Sequence, residues 1–318
     1  MTGLNPPSEW RGTSGDPNDE QFGDIVEPVP ELDDDVLAAF DAVLLGEPFD
    51  HAVIGRKGAV DGPAALRETL AGVKTHHFDA GPVASVGDVG DVMLMLDDAD
   101  DPEEVTTELL QRKAGVLAKR LHDADTLPVF LGGDNSFTYP NAAPLLEDGS
   151  LGVINFDAHL DVREVRDDPT SGTPYRQLFD AGLDSYACVG ARHFETSSAY
   201  ADYVRERGGA IVTAEEVGDD SVSAIDTALD SMSDVDTIYV SVDVDVLDAA
   251  FAPGVSAPTP GGISTRELFR MLRLVAADDR VAGFEVVECA PSLDHDELTV
   301  KAGARAIAHF LSTYGGSK

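Results

Sequence analysis

The sequence predicts an α/β fold, a three-layer αβα sandwich with a mainly parallel central sheet. Two observations lead there. Short β-rich apolar runs alternate with segments of helical period over most of the 318 residues, and alternation of that kind produces parallel strands joined by right-handed crossovers, with helices on both faces. No Pro/Ser-rich linker or internal repeat interrupts the series, so one catalytic domain is expected over residues 51–318.

Residues 1–50 are polar, acidic and Pro-containing, and Asp33-Asp34-Asp35 leads into VLAAFDAVLL. They read as an extended arm followed by one short helix. The strand candidates then follow: HAVIG at 51, KTHHFD at 74, DVMLML at 91, LPVFLGG at 127, LGVINFD at 151, YACVGAR at 186, AIVTAEE at 210, DTIYVSVDVD at 236 and VAGFEVVE at 281. Each is short, apolar and rich in β-formers. Helical period falls near 62–71, 102–123, 138–147, 173–181, 196–207, 221–232, 264–276 and 296–313.

Charge narrows the function. With 59 Asp+Glu against 22 Lys+Arg, the net charge is -37. A field of that sign repels nucleic acids and anionic lipid surfaces, so neither is an expected partner. Lysine is scarce and Arg supplies most of the positive charge, a balance suited to molar salt, where screening over about 3 Å removes the self-repulsion. No run of about 18 apolar residues could cross a bilayer. The N-terminus lacks a charged and apolar leader, and Cys188 and Cys289 make no disulfide framework, so the cytoplasm is the expected compartment.

Three strand ends carry the chemistry. LPVFLGGDNS places Asn135 after a Gly pair, LGVINFDAHLD spaces Asp157, His159 and Asp161 at i, i+2, i+4, and TIYVSVDVDVLD carries Asp243, Asp245 and Asp248. Alternate residues of an extended strand share a face, so each set is expected to converge. Carboxylates crowded at buried strand ends cost several kcal/mol unless a cation neutralises them. A set of oxygens and one imidazole without thiolate suits Mn²⁺ better than structural zinc, and bidentate Asp157 and Asp243 could bridge two ions about 3.5 to 4 Å apart. A single strand-end Asp would more simply form an Asx-turn or cap a helix.

In order along the chain, GRKGAVDGPAALRETL, GGDNS, NFDAHLD, SVDVDVLDAAFAPG and FEVVECAPSLD resemble the motifs of the ureohydrolase superfamily of arginases, agmatinases and formimidoylglutamases. The resemblance implies an arginase-like fold, a two-manganese site, and a homo-oligomer, trimer or hexamer. Carried across, Asp157 and Asp243 bridge the ions, His159 and Asp245 complete one, and Asp161 binds the other. Asn135 stands where the family has His, which implies a weaker hold on one ion, because an amide oxygen is a poorer ligand than imidazole. Glu288 matches the carboxylate that pairs with an amidine-like cation.

Within the superfamily, DVREVRDDPTSGTPYRQL and the early Trp10-Arg11-Gly12 resemble formimidoylglutamases of histidine degradation. Arg163, Arg166, Arg176 and Arg192 lie near the predicted strand ends, where guanidinium groups could receive a substrate bearing two carboxylates. Arg163, Arg192, Ser171 and Glu288 are the expected substrate contacts, with Asp161 and Glu288 catalytic. Competing readings are an agmatinase or other guanidino-acid hydrolase, and a non-catalytic metal-binding paralogue.

Overall fold

The computed structural model describes residues 3–7, 9–83, 85–94 and 105–314. Eight strands build the sheet: β1 (Ala42–Glu47), β2 (Val86–Val92), β3 (Leu127–Gly132), β4 (Leu151–Phe156), β5 (Ser185–Ala191), β6 (Ala210–Thr213), β7 (Thr237–Asp243) and β8 (Val281–Val287). They pair in parallel in the order β2-β1-β3-β8-β7-β4-β5-β6. Two short segments extend the β2 edge, Leu4–Asn5 running antiparallel and Glu27–Pro28 parallel. The expected α/β class with a mainly parallel sheet is what forms.

Every residue of β1, β3 and β4 is buried, as expected of parallel strands covered on both faces. Side chains alternate between two apolar layers. Leu44, Leu131, Ile154 and Val242 pack beneath α1 (Gly62–Ala71), α5 (Ser221–Ser231), α6 (Thr265–Val275) and α7 (Leu298–Tyr314) through Leu66, Ile225, Met271 and Phe310. On the other face Val43, Phe130, Val153 and Tyr239 meet α2 (Thr107–His122), α3 (Pro174–Ala181) and α4 (Ser198–Glu206) through Leu121, Leu178 and Val204.

Several sequence expectations shift. VLAAFDAVLL is one helical turn, Asp34–Leu37, followed by strand β1, so residues before 50 also supply an interior strand. HAVIG is a loop, because the Ala52 and Ile54 N–H groups donate to side chains of Asp134 (2.9 Å) and Ser171 (3.1 Å) rather than to a neighbouring strand. The strand expected at 91–96 is β2, set earlier in the chain. Residues 95–96, and 102–104 of the helix expected over 102–123, lie outside the described residues. KTHHFD lies off the main sheet, pairing antiparallel with Gly81–Pro82 at His76–His77 and with Gln21 through a single bridge at Lys74. Residues 138–147 divide into a helix over Thr138–Ala142 and a 3₁₀ turn over Ala143–Glu147, with Pro144 in the first turn of the second. In AIVTAEE, Thr213 ends β6 by capping the helix Ala214–Asp219.

The arm is fastened to the β2 edge. Arg67 of α1 forms a two-pronged ion pair with Asp88 of β2 (2.9 and 3.0 Å), and the Trp10 indole N–H donates to the same carboxylate at 2.7 Å.

Candidate metal centre

Four strands adjacent in the sheet, β3, β8, β7 and β4, deliver the acidic residues at their C-terminal ends. After β3 the Gly pair lets the chain fold against the loop following β1, since a Cβ on Gly133 would sit 1.8 Å from the Phe49 carbonyl oxygen. The turn then presents Asn135, whose N–H donates to Glu288 Oε1 at 3.0 Å. Beyond β4 come Asp157, His159 and Asp161, and beyond β7 come Asp243 and Asp245, the latter within a 3₁₀ turn.

Two groups have ligand atoms all within 4.8 Å of one another: Asp157, His159 and Asp245, and Asp157, Asp161 and Asp243. Asp157 is common to both. Convergence does not come from strand alternation, because β4 ends at Phe156 and β7 at Asp243. Asx-turns curl the chain back instead. Asp157 Oδ1 accepts the His159 N–H at 2.7 Å, and Asp243 Oδ1 accepts the Asp245 N–H at 2.8 Å. The Asx-turns and the clustering of possible ligand atoms therefore involve the same residues. Asp161 and Glu288 adopt positive φ (43° and 62°), uncommon for non-glycine residues and concentrated at functional sites.

Burial raises the carboxylates of Asp157, Asp161, Asp243 and Glu288 above their ordinary range, reinforced by neighbouring acids such as Asp157 on Asp161 and Asp134 on Glu288. Burial opposes ionisation of His159 too, but Asp245 (3.1 Å from Nδ1) and Asp157 outweigh it and raise the imidazole. Burial likewise works against ionised Asp245, yet His159 holds it low. Such a set lacks positive charge. Hard oxygen donors with one imidazole and no thiolate fit divalent ions, with Asp157, His159 and Asp245 able to hold one and Asp157, Asp161 and Asp243 another.

The electrostatics predict a pH dependence. Acids with raised folded pKa keep their protons longer in the folded chain, so stability is greatest at low pH and falls as pH climbs from about 4 through the raised values, which for Asp134 reach about 6. His159, raised from about 6.5, continues the trend upward, while lowered Asp245 acts only below about pH 4. Metal-free protein in constant molar KCl is expected to melt several degrees lower at about pH 7.5 than at about pH 5.5, with Mn²⁺ closing the gap. Differential scanning fluorimetry checks this, and an unchanged Tm across that range contradicts it.

The expected substrate contacts are placed unequally. Glu288 Oε2 is buried without a hydrogen-bond partner among the described residues. Ser171 Oγ accepts the Ile54 N–H, clasping the 162–173 loop to the loop after β1, and Arg163 is exposed beside Gly172, with its N–H donating to the Gly172 carbonyl at 2.9 Å. Arg192 is buried; its Nη2 donates to the Asp245 carbonyl, Nη1 lies 3.6 Å from Glu195, and Nε has no hydrogen-bond acceptor among the described residues. Arg176 does not join them: it stacks on Tyr203 at 3.5 Å and donates to the Val162 carbonyl. Arg166 is exposed.

Asp248 and Asp294 of the quoted motifs hold turns, Asp294 accepting the Thr299 and Val300 N–H groups at the start of α7. The Cys188 thiol is buried 3.1 Å from the His159 carbonyl and is pushed up by burial and by Asp157; burial raises Cys289 also. Sequence reasoning missed Glu195, which approaches both His159 and Arg192 at 3.6 Å, and the polar network beneath Asn135.

The sequence model of the arginase family matches residues 40–312. The formimidoylglutamase of Halobacterium salinarum is 57% identical over 309 residues, covering 96% of this chain and 97% of that protein. Among solved structures, the formimidoylglutamase of Bacillus subtilis superposes with a TM-score of 0.83 at 29% identity, over 94% of this chain and 93% of that one. The formiminoglutamase of Trypanosoma cruzi with Mn²⁺ gives 0.79 at 27% identity, over 88% and 95%.

Proposed function

The chain belongs to the arginase family, and on that premise we propose that it hydrolyses N-formimidoyl-L-glutamate to L-glutamate and formamide. It is a hydrolase of linear amidines. The observation that carries the amidine chemistry is the unpartnered, buried Glu288 Oε2 beside two groups of metal-ligating atoms. Likeness to formimidoylglutamase over nearly the whole chain supports this substrate over agmatine or another guanidine.

The ions are proposed to be two Mn²⁺ per subunit, which Asp157, His159, Asp161, Asp243 and Asp245 would hold, with Asn135 as a weaker ligand. When bound they supply Lewis acidity and lower the pKa of the attacking water. Glu288 pairs with the amidinium and fixes the formimidoyl carbon for attack. Asp161 takes the water's proton and passes it to the glutamate nitrogen as the carbon–nitrogen bond breaks, so formamide and the free amine leave in balance. Arg163 and Ser171 at the loop, and the Arg192 guanidinium, whose Nη1 also lies 3.6 Å from Glu195, are proposed to receive the substrate carboxylates.

The test is a panel with Mn²⁺: formamide release from formimidoylglutamate, against urea release from agmatine, arginine and guanidino acids. Urea without formamide sinks the assignment. Fewer than two ions bound in excess Mn²⁺, with no hydrolysis of any amidine, favours a non-catalytic paralogue.

We further propose a cytoplasmic homo-oligomer, trimer or hexamer, adapted to molar salt, with a catalytic domain that includes β1 and so begins before residue 51. Of the described helices, none is long and apolar enough to cross a membrane. With a net charge of -37, activity is expected to rise several-fold between about 0.2 and 2 M KCl as screening tightens. Highest activity at the low-salt end would refute the adaptation.

A further inference from the structure

Beneath Asn135 lies a buried chain of polar groups that the reaction does not use. Glu285 of β8 is fully buried without a facing Arg or Lys among its hydrogen-bond partners. Its Oε1 accepts from Ser241 Oγ at 2.7 Å and from Thr138 Oγ1; its Oε2 accepts from Tyr239 at 2.7 Å and from Asn141 Nδ2 at 3.1 Å. The same Asn141 nitrogen donates to Glu47 at 2.8 Å. Within reach of both carboxyl groups, this atom as the amide nitrogen donates to each, while burial pushes the Glu47 carboxyl well above its ordinary range.

At the other end one hydroxyl faces two acceptors. Thr138 Oγ1 lies 2.6 Å from Asn135 Oδ1 while also reaching Glu285, and a hydroxyl has one hydrogen. Asn135 Nδ2 faces Asp161 Oδ2 at 2.7 Å. Exchanging the amide's oxygen and nitrogen lets Thr138 donate to Glu285 and accept from Asn135, and it sets the amide oxygen 2.7 Å from Asp161 Oδ2, a contact of two acceptors that a bound cation would make favourable.

We infer that Glu285, acting through Thr138, is a positioning residue that turns the Asn135 amide oxygen toward the carboxylate cluster. This rests on the proposed function, in which Asn135 is a metal ligand. An amide has one ligating end, and an imidazole in its place would not need the same sorting of oxygen from nitrogen. The buried anion therefore supplies what the substitution of Asn for His leaves undetermined.

The isosteric Glu285→Gln variant reverses the chain. With Asn141 Nδ2 donating, the Gln oxygen takes the Oε2 place and its NH₂ faces Thr138. Thr138 must then accept from Gln, its hydrogen turns to Asn135, and the amide nitrogen faces the cluster.

The experiment is Mn²⁺ titration followed by electron paramagnetic resonance, with metal-free Tm as the check on folding. Wild-type protein is expected to bind two ions. Glu285→Gln and Thr138→Val are expected to loosen one ion about 10- to 100-fold and change the other less than about threefold, while Thr138→Ser retains both. Unchanged binding in Glu285→Gln and Thr138→Val overturns the inference, as does equal loosening of both ions, which marks a general packing effect. Failure of wild-type protein to bind two ions or to release formamide falls instead on the proposed function.

Discussion

Replacing Glu288 by Gln is expected to lower kcat/KM for formimidoylglutamate by about 10²- to 10³-fold without unfolding the protein. Gln keeps the shape and the oxygen that accepts the Asn135 N–H, so the turn after β3 survives. What it removes is the negative charge at a buried oxygen with no other partner. Breaking one side of a buried ion pair costs about 3–5 kcal/mol, and each 1.4 kcal/mol is tenfold. The metal-free variant should melt at or above the wild-type temperature, because an uncompensated buried carboxylate has been neutralised. Steady-state kinetics and a melting curve check both, and a loss below tenfold would remove Glu288 from substrate recognition.

Asp161→Asn is expected to reduce kcat by about 10³-fold, in line with loss of a positioned proton carrier, and to change KM much less. Asn is the informative replacement because Asp161 sits at φ 43°, a conformation that Asn tolerates and Ala does not. Alanine would mix backbone strain into the result. Since Asp161 is also a proposed ligand, the rate is to be measured at saturating Mn²⁺ with metal content determined in parallel. With both ions retained, a kcat within fivefold of wild type would exclude Asp161 as the proton carrier.

Much of the architecture was legible because β3, β4, β7 and β8 are continuous apolar runs that stop abruptly in acids, a pattern that alternation with helices makes hard to mistake. The same property hid β1. A strand buried on both faces has no period of two, so AVLL within VLAAFDAVLL also satisfies a helical pattern. The acids of the site were legible as a set, but not how they meet, because turns after the strand ends bring them together and positive φ at Asp161 leaves no trace in spacing. Arg176 resembled its neighbours until Tyr203 proved to lie beneath it. Glu285 was unreadable: in sequence it is one acid within an apolar run, and its significance comes from Thr138, Asn141, Tyr239 and Ser241, residues distant in the chain.

The 162–173 loop is joined to the rest of the molecule in an instructive way. Asp168 accepts the Thr107 and Glu108 N–H groups at the start of α2, at 2.6 and 3.1 Å, and Ser171 exchanges hydrogen bonds with Ala52 and Ile54. These clasps belong to the loop's own backbone path and involve none of the carboxylates at the strand ends. On the proposed function, Arg163 and Ser171 can therefore change with the loop while the acids at the strand ends keep their own supports, whereas a change at Arg192, bonded to the Asp245 carbonyl, would reach the centre itself.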